Sequence, residues 1–572
     1  MNFFSVVQYL LFVVIVTACV KPLGGYMYRV FSRERTFPDR LCIPIERWIY
    51  QLTGVDPSIE MDARQYAICF VVFSLICTLF LYAILRYQRF LPWFFPDYQT
   101  TPLSPDLSFN TAISFSTTTT WQAYAGESTM SYFSQMAGLC TQNFLAGAAG
   151  LAVGIAFLRG LARESRATLG NFWVDLTRSL LWILLPGAFL GSLVLVWQGV
   201  PMNFHHYEIA TTLEGRQQII PQGPVAALEL IKNLGTNGGG FFNANGAHPY
   251  ENPTPLTNFL ELLSIILLPA ALTNTFGRMV RHLRQGWLIY WVMLLLFTGG
   301  LIALHLSEQS ASPLIHGIDS RSSQHPSCGN MEGKEVRFGL GGTVLAGTVT
   351  SNGATGSSNA ADDSFSSLGG LVLLVNLLLG EVIFGGLGTG LLGMIMTAAI
   401  AVFLAGLMIG RTPEYLGKQI GPSENKMIVL YALSGPVTIL ILTAIAISTN
   451  AGLAGLATNS GPHGLTEIFF AFASCFGNNG QTFGGLSANT PFYNIMTAIA
   501  MMAGRFGLAV PALIFAGLFA QQPARARSRG TLPTDSLPFG ILLTVFILIF
   551  TALSYFPALT LGPVLEHFLF KI

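Results

Sequence analysis

Charged residues are scarce in this chain, where Asp, Glu, Lys and Arg make up 10% of the 572 residues, against about 25% in a typical soluble domain. The 28 acidic and 29 basic residues nearly balance, and the basic stripe that nucleic-acid binding requires is missing. The seven cysteines form no CxxC pair, so nothing indicates a disulfide framework or a zinc site. Because hydrophobic residues make up 52% of the chain, the composition predicts an integral protein of the lipid bilayer.

Motifs of ATP-driven catalysis are missing as well. The sequence contains neither a DKTGT phosphorylation motif nor a GxxxxGKS/T phosphate loop, and the run Glu332–Glu335 lacks the hydroxyl residue of such a loop. It also offers no catalytic His or Cys cluster, metal triad or nucleophile motif, which disfavours a membrane-embedded enzyme. The chain is therefore expected to have no ATP site, and the energy for any active transport must come from a partner.

Ten apolar stretches are long enough to cross a hydrocarbon layer of about 30 Å. They predict spans near residues 3–20, 66–85, 131–158, 179–197, 256–276, 287–305, 368–410, 427–447, 491–519 and 537–557. The seventh is roughly twice as long as one straight span, and the run Gly385–Gly390 predicts a break within the membrane just after Glu381. The fold class that follows is an all-α polytopic membrane protein of about ten transmembrane helices.

Basic residues cluster after the odd-numbered spans. The clusters run from Arg29 to Arg47, Arg159 to Arg178, Arg278 to Arg284, Arg411 to Lys426 and Arg525 to Arg529. Basic residues favour the cytoplasmic side of a membrane, which predicts that the N-terminus lies outside.

Thr, Asn and Gly gather in four places between the apolar stretches, at residues 116–121, 235–243, 352–356 and 477–480. An isolated Gly-rich run is most often a surface loop, but repetition favours four re-entrant loops around one pore. By the distribution of basic residues all four lie on the outer face. The predicted units are 1–65 (first span and basic cytoplasmic segment), 66–158, 179–277, 287–410 (second helix broken near 385–390) and 427–519 (four repeats), and 537–572 (last span).

Backbone carbonyls in such loops can replace the hydration shell of a large, weakly hydrated cation. K⁺ suits this chemistry better than Mg²⁺ or Ca²⁺, which call for carboxylates, and none of the four loop cores contains Asp or Glu. Thr118 and Thr119 add hydroxyls. Asn237, Asn478 and Asn479 add amides that either contact the ion, brace the loops or simply make turns.

Several motifs resemble the potassium-binding subunit of the bacterial Kdp-type potassium-importing ATPase, a family related to the Trk/Ktr potassium channels and transporters. They are GTNGGGFFNAN, NMEGKEVRFG, GLMIGRTPEYLGK, GNNG followed by FGGLSAN, and WQAYAGESTMSYFSQMAGLCTQNF. The resemblance runs from about Lys21 to Glu566.

The resemblance implies high-affinity import of K⁺ across the bacterial cytoplasmic (inner) membrane. This chain would be a non-catalytic subunit that selects K⁺ from outside, while a separate P-type ATPase subunit hydrolyses ATP. It also implies a single-span accessory subunit and a small one-helix stabilising peptide as partners. The alternative is an autonomous K⁺ channel or ion-coupled K⁺ transporter of the Trk/Ktr type, which shares the four-loop architecture.

The family roles, carried onto matching positions, imply a K⁺ selectivity filter. Its residues are Thr117, Thr118, Thr119, Gln122, Thr236, Asn237, Gly238, Ala354, Thr355, Gly356, Phe476, Gly477 and Asn478. The first loop is all Thr where relatives often have Asn. In the third loop Asn352-Gly353 competes with Thr355-Gly356, and we favour the latter because its distance to Asp363 matches the family spacing.

Three charged residues stand within or beside apolar helices: Glu381, Arg411 and Arg505. An ionisable residue at such a position is costly and is therefore a functional candidate. Either Arg505 and Glu381 form an ion pair that locks two helices, or Arg505 is an electrostatic barrier below the filter that diverts K⁺ sideways. The resemblance implies further that the broken seventh span gates the cytoplasmic exit and that K⁺ reaches the ATPase subunit through a lateral tunnel.

Overall fold

The computed structural model describes residues 3–91, 101–309, 329–408, 410, 412–525 and 532–569. Within them, ten helices are long and apolar enough to cross a membrane, which confirms the all-α polytopic class predicted from hydropathy. Arg411 lies outside the described residues, so its predicted role has no structural counterpart here.

The helices in chain order are α1 (Phe3–Phe31), α2 (Asp39–Thr53), α3 (Ala63–Tyr87), α4 (Pro105–Ser116), α5 (Gly126–Thr129), α6 (Thr141–Ala162), α7 (Phe172–Arg178), α8 (Leu185–Trp197), α9 (Val225–Leu234), α10 (Pro255–Met279), α11 (Leu283–Glu308), α12 (Gly339–Asn352), α13 (Ser367–Leu378), α14 (Thr389–Met408), α15 (Pro422–Ser448), α16 (Asn450–Leu453), α17 (Gly461–Phe476), α18 (Pro491–Gln521), α19 (Leu537–Leu559) and α20 (Leu565–Leu569). The π-helical segments Ser134–Cys140, Ser179–Leu184 and Thr560–Val564 lead into α6, α8 and α20, and short 3₁₀ turns are Gln88–Phe90, Asn245–Ala247 and Asp362–Ser364.

In the residues that the structure describes, sheet is confined to three small antiparallel ribbons. They pair β1 (Met61–Asp62) with β2 (Thr168–Gly170), β3 (Glu208–Thr211) with β4 (Gln217–Ile220), and β5 (Glu414–Tyr415) with β6 (Lys418–Gln419). The membrane part of the described chain is therefore helical, as expected for backbone that must satisfy its own hydrogen bonds in lipid.

Four short helices, α4, α9, α12 and α17, are mostly buried among the long ones. They have 12, 10, 14 and 16 residues, fewer than the roughly 20 that a span needs. Local sequence explains where α4 starts: the Ser104 side chain accepts the Leu107 N–H, and Pro105 occupies the first turn. Each short helix therefore enters the bundle and stops inside it.

The seventh span is interrupted between α13 and α14, over residues 379–388. The interruption begins earlier than the predicted 385–390 and includes Glu381, because the first helix already ends at Leu378. Phe384 and Gly388 have positive φ, at 46° and 97°, so the backbone turns away from helical geometry. Irregular backbone at this depth is tolerated because protein surrounds it.

Helix α18 lies at the centre of the bundle, where it packs against α3, α4, α6, α15 and α17. Its residue Arg505 is 4% exposed. The helix therefore carries a buried cation to the middle of the molecule, next to the ends of two of the short helices.

Candidate ion-coordination site

Four loops begin where the four short helices end, and all four have the same hydrogen-bond pattern. The third loop residue donates its N–H to the carbonyl five residues earlier: Thr119 to Ser114 (2.9 Å), Asn237 to Lys232 (2.7 Å), Thr355 to Thr350 (3.2 Å) and Asn479 to Ser474 (2.9 Å). A helix C-terminus carries roughly half a negative elementary charge. Four such ends meet at these loops, which favours a cation between them.

The backbone conformation repeats in the same register. The second and fourth residues of every loop have positive φ: Thr118 (63°) and Thr120 (48°), Thr236 (50°) and Gly238 (79°), Ala354 (46°) and Gly356 (62°), Asn478 (48°) and Gly480 (86°). Two independent features thus align the loops as 117–120, 235–238, 353–356 and 477–480, which we call loops 1 to 4.

Contacts between fourth and third loop residues close the loops into a ring. A Cβ added at Gly238, Gly356 or Gly480 would overlap the carbonyl oxygen of Thr355, Asn479 or Thr119, respectively, so loop 2 touches loop 3, loop 3 touches loop 4 and loop 4 touches loop 1. Loop 1 has Thr120 at the equivalent position, and its hydroxyl donates to the carbonyl of Asn237 in loop 2. Loops 2, 3 and 4 therefore each abut the next loop through backbone, with Gly where the approach is closest, and loop 1 reaches loop 2 through a side-chain hydroxyl.

The residues implied by the resemblance do not all stand in one register. They cover the first three positions of loop 1, the last three of loops 2 and 3, and in loop 4 they begin at Phe476, which is the last residue of α17. Thr120, Asn479 and Gly480 complete the ring of loops but stand outside that implied set. The equal spacing of Gly238, Gly356 and Gly480 from the ends of their helices was the available signal.

The asparagine side chains lie behind the loops. Their amides donate to neighbouring backbone or hydroxyl groups: Asn237 to the Asn143 carbonyl (2.9 Å), Asn478 to the Met501 carbonyl (3.0 Å) and to Thr119 Oγ1 (3.0 Å), and Asn479 to the Thr350 carbonyl (3.0 Å). These bonds hold the loops in place, so the groups left to face an ion are mainly backbone carbonyls.

Gln122 joins the exits of two loops. Its Nε2 donates to the Gly240 carbonyl at 2.9 Å, and its Oε1 accepts the Gly240 N–H at 2.8 Å. The same Nε2 lies 2.9 Å from the Tyr124 hydroxyl. The side chain therefore braces the segment after loop 2 against the segment after loop 1.

Arg505 lies against the deep end of loop 1, where the chain turns out of α4. Its Nη1 is 3.1 Å from Thr118 Oγ1, and its Nη2 donates to the Ala146 carbonyl at 2.9 Å. Among the described residues no carboxylate lies within 4.0 Å of the guanidinium, and its Nε has no hydrogen-bond partner. The ion pair with Glu381, one of the two alternatives drawn from the sequence, is therefore not formed in this structure.

Glu381 faces a cavity of about 90 Å³ beside the foot of loop 4. Phe476, Gly477, Tyr431 and Tyr555 are among the residues that line it. Within the described chain, Glu381 Oε2 and the Tyr431 hydroxyl have no hydrogen-bond partner. Two polar groups without partners in this part of the chain therefore belong to the lining of this cavity.

His463, at the start of α17, lies between two carboxylates. Its Nε2 is 2.8 Å from Asp363 Oδ1 and its Nδ1 is 2.9 Å from Glu566 Oε1. Burial opposes the charge of the imidazole, but the hydrogen bonds to Asp363 and Glu566 raise the pKa of His463 to about 10. No cluster of His, Cys, Asp and Glu that could hold a transition metal occurs in the described ranges.

Comparison with known proteins gives a concordant picture. The family model described as Potassium-transporting ATPase A subunit matches residues 10–568. A "Potassium-transporting ATPase potassium-binding subunit" of Koribacter versatilis is 49% identical over 577 residues, which cover 98% of this chain and 97% of the relative. The protein of that name from Methylobacterium nodulans is 51% identical over 560 residues, covering 98% and 96%.

The chain is also similar in fold to a solved structure of a transporter. The crystal structure of the potassium transporter TrkH from Vibrio parahaemolyticus superposes with a TM-score of 0.51 and 12% sequence identity, covering 89% of this chain and 97% of that one. At this identity the likeness concerns the arrangement of helices alone.

Proposed function

The chain belongs to the family of potassium-transporting ATPase A subunits, and on that premise we propose that it selects K⁺ at the ring of loops 1 to 4 for ATP-driven import. The observation that carries the proposal is the ring itself: four helix C-termini and four backbone loops in one register, without a carboxylate among the loop residues. Carbonyl dipoles of this kind suit a weakly hydrated monovalent cation. The nominated segments are Thr118–Thr120, Thr236–Gly238, Ala354–Gly356 and Asn478–Gly480.

A barrier at the deep end of the ring is the second part of the proposal. The positive charge of Arg505 beside Thr118 opposes the movement of K⁺ straight to the cytoplasm, because two unit charges about 4 Å apart repel by roughly 4 kcal/mol at an effective dielectric of ~20. The cavity beside Glu381 offers K⁺ a sideways path, and the interruption at residues 379–388 acts as its gate. From there K⁺ passes to a P-type ATPase subunit that hydrolyses ATP.

The arrangement in the membrane is the third part. In this arrangement the ring lies at the outer face of the bacterial inner membrane, with the N-terminus outside and the basic clusters in the cytoplasm, and the distribution of basic residues supports it. A single-span accessory subunit and a one-helix peptide complete the complex. The names of the relatives support an assembly with an ATPase, because each is called a subunit of one.

The test is a comparison of the complete complex with the isolated chain in proteoliposomes. We expect the chain to co-purify with a phosphorylatable partner, and we expect K⁺ uptake to require ATP. Gly238→Asp in the complex should weaken K⁺ affinity and reduce the preference for K⁺ over Rb⁺, because a carboxylate would enter a site built of carbonyls. Unchanged K⁺ affinity and ion ranking would contradict the ring as the filter.

An autonomous channel or ion-coupled transporter is the second candidate, favoured by the fold likeness to a potassium transporter. It predicts that the isolated chain conducts K⁺ without a partner or ATP. Passive flux through the isolated chain at rates above those of the complex would support this candidate.

A further inference from the structure

A fully buried ion cluster lies behind loop 2. Lys232 Nζ is 2.7 Å from Glu229 Oε2 and 2.7 Å from Glu251 Oε2, and all three side chains are 0% exposed. Glu261 of α10 interacts electrostatically with the same ammonium. Burying charge is expensive unless the partners are well placed. The free-energy cost of burying these charges indicates that the cluster does more than fill space in the core.

Lys232 holds loop 2 from its main chain. Its carbonyl accepts the N–H of Asn237 at 2.7 Å and that of Gly238 at 3.1 Å. These are the third and fourth residues of the loop, whose carbonyl and Cα form the contacts to loops 1 and 3. Any shift of Lys232 therefore moves loop 2 directly.

The side chain of Lys232 reaches the neighbouring loop through one intermediary. Its Nζ donates to Asn245 Oδ1 at 2.8 Å, and Asn245 Nδ2 donates to the Gly356 carbonyl of loop 3 at 3.1 Å. Glu251, held by Lys232, accepts the Phe242 N–H at 2.7 Å and so fixes the exit of loop 2. One cation thus connects the backbone of loop 2, its exit and the fourth residue of loop 3.

We propose that Lys232 is a positioning residue that sets the spacing of loops 2 and 3 and thereby the discrimination between K⁺ and Rb⁺. The proposal rests on the proposed function of the ring. The adjacent carboxylates explain why a lysine can serve there: Glu229 and Glu251 offset a charge that would otherwise repel K⁺ from behind. Asn245 connects the side chain of Lys232 to loop 3 and carries no charge of its own.

The main alternative is that Lys232 only stabilises the fold. Two variants distinguish this role from the positioning of the loops. Lys232→Met leaves Glu229 and Glu251 without their cation and lowers assembly, whereas Lys232→Met with Glu251→Gln removes one of these two carboxylates and restores assembly in part. Both still lack the bond to Asn245. If Lys232 sets the spacing, the double variant recovers assembly without recovering ion discrimination.

A third variant, Asn245→Gly, removes the side chain that connects Lys232 to the Gly356 carbonyl and leaves the pairs of Lys232 with Glu229 and Glu251 intact. Asn245 has φ 54°, a conformation that glycine adopts readily. The matched control is Lys334→Met. It breaks another buried ion pair, between Lys334 and Glu308, whose side chains are also 0% exposed. In the described part of the chain, no hydrogen bond or ion pair joins the side chains of that pair to loops 1 to 4.

The measurement is K⁺- and Rb⁺-stimulated ATP hydrolysis of the complex, expressed per assembled complex. We expect the Lys232 variants and Asn245→Gly to raise the half-saturating K⁺ concentration by about tenfold or more, as when groups that hold metal ligands are removed, and to move the Rb⁺/K⁺ ratio of half-saturation towards one. Lys334→Met should reduce yield without changing that ratio.

Two results would count against the inference in different ways. An unchanged Rb⁺/K⁺ ratio in the Lys232 and Asn245 variants, while Gly238→Asp changes it, would refute the positioning role and leave the ring intact. No change in Gly238→Asp either would refute the ring itself.

Discussion

Nη1 of Arg505 lies 3.1 Å from Oγ1 of Thr118, so a buried guanidinium touches the loop where K⁺ would leave the ring. No carboxylate neutralises it within 4.0 Å in the described residues. The contact therefore joins a fixed positive charge to loop 1 of the proposed filter, which favours the proposed barrier over an ion pair that locks two helices.

Replacing Arg505 tests this barrier. Arg505→Met keeps a long apolar stem but removes the charge, so passive K⁺ leak should rise or ATP hydrolysis should lose its coupling to uptake. K⁺ flux in proteoliposomes, ATPase rate and yield of complex measure the outcome. An ion-pair lock predicts misassembly that Glu381→Gln repairs in the double variant, and full, coupled uptake by Arg505→Met would exclude the barrier.

Hydropathy was sufficient to predict the membrane fold. The ten spans and the break in the seventh follow from the length of apolar runs and from glycine, because lipid leaves helix as the main way to satisfy the backbone. The break itself starts at residue 379 rather than 385, since Leu377–Leu378 closes α13 before the glycine run begins. Composition cannot distinguish a helix end from the apolar turn that follows it.

The ring was harder to predict than the spans. Loop 1 offers four consecutive Thr residues, so its sequence alone does not show that Thr118 and Thr120 take positive φ, a rare conformation for β-branched residues.

The Lys232 cluster was missed for another reason. Glu229 is the i,i+3 neighbour of Lys232 on α9, but Asn245 and Glu251 reach Lys232 only when the chain folds back after loop 2, and all of them look like ordinary polar residues in the sequence.

The fourth residue of the loop should tolerate a change from Thr to Gly in loop 1 but not a change from Gly to Thr in loop 4. In Thr120→Gly the lost hydrogen bond, about 0.5–1.5 kcal/mol, is offset by relief of backbone strain of about 1–3 kcal/mol, so half-saturating K⁺ should stay within about threefold of wild type. Gly480→Thr places the same residue at the equivalent position, where its Cβ overlaps the Thr119 carbonyl, and should abolish high-affinity K⁺ stimulation. Equal effects of the two changes would contradict the common register.

Gln122 should be sensitive to added charge. Gln122→Arg breaks both bonds to Gly240 and brings a cation to the mouth of the ring, where even part of the roughly 4 kcal/mol repulsion at ~4 Å raises half-saturating K⁺ by about tenfold. Gln122→Met is the control, because it keeps the length and loses only the bonds. A shift below about threefold for the arginine variant would place Gln122 away from the ion's path.

The pairing of His463 with Asp363 and Glu566 predicts a pH-dependent contribution to stability. Because the pKa of His463 is raised to about 10, its contribution is complete below the ordinary histidine value of about 6.5 and disappears as the pH rises through 10. The hydrogen bond from His463 lowers the pKa of Asp363, so the contribution of that carboxylate is present above about 3.9 and is lost only in acid.

The variant His463→Gln should therefore lower the free energy of unfolding of the complex by about 1–3 kcal/mol near pH 6, and the difference from wild type should vanish near pH 10. Thermal unfolding followed across this range measures it. A difference that stays constant from pH 6 to 10 would show that the imidazole acts by shape rather than by charge.

The last prediction concerns the contact between the ring and the interrupted span. The Leu387 N–H donates to Thr236 Oγ1 at 2.6 Å, so the second residue of loop 2 holds the segment proposed as the gate. Thr236→Val keeps the branched shape and the carbonyl but leaves that N–H without an acceptor, at a cost of about 1–3 kcal/mol. The gate should loosen, with higher passive K⁺ flux and unchanged ion ranking, whereas Thr236→Ser retains the bond and should behave like wild type. If valine and serine give the same flux, the ring and the gate are not coupled through this hydroxyl.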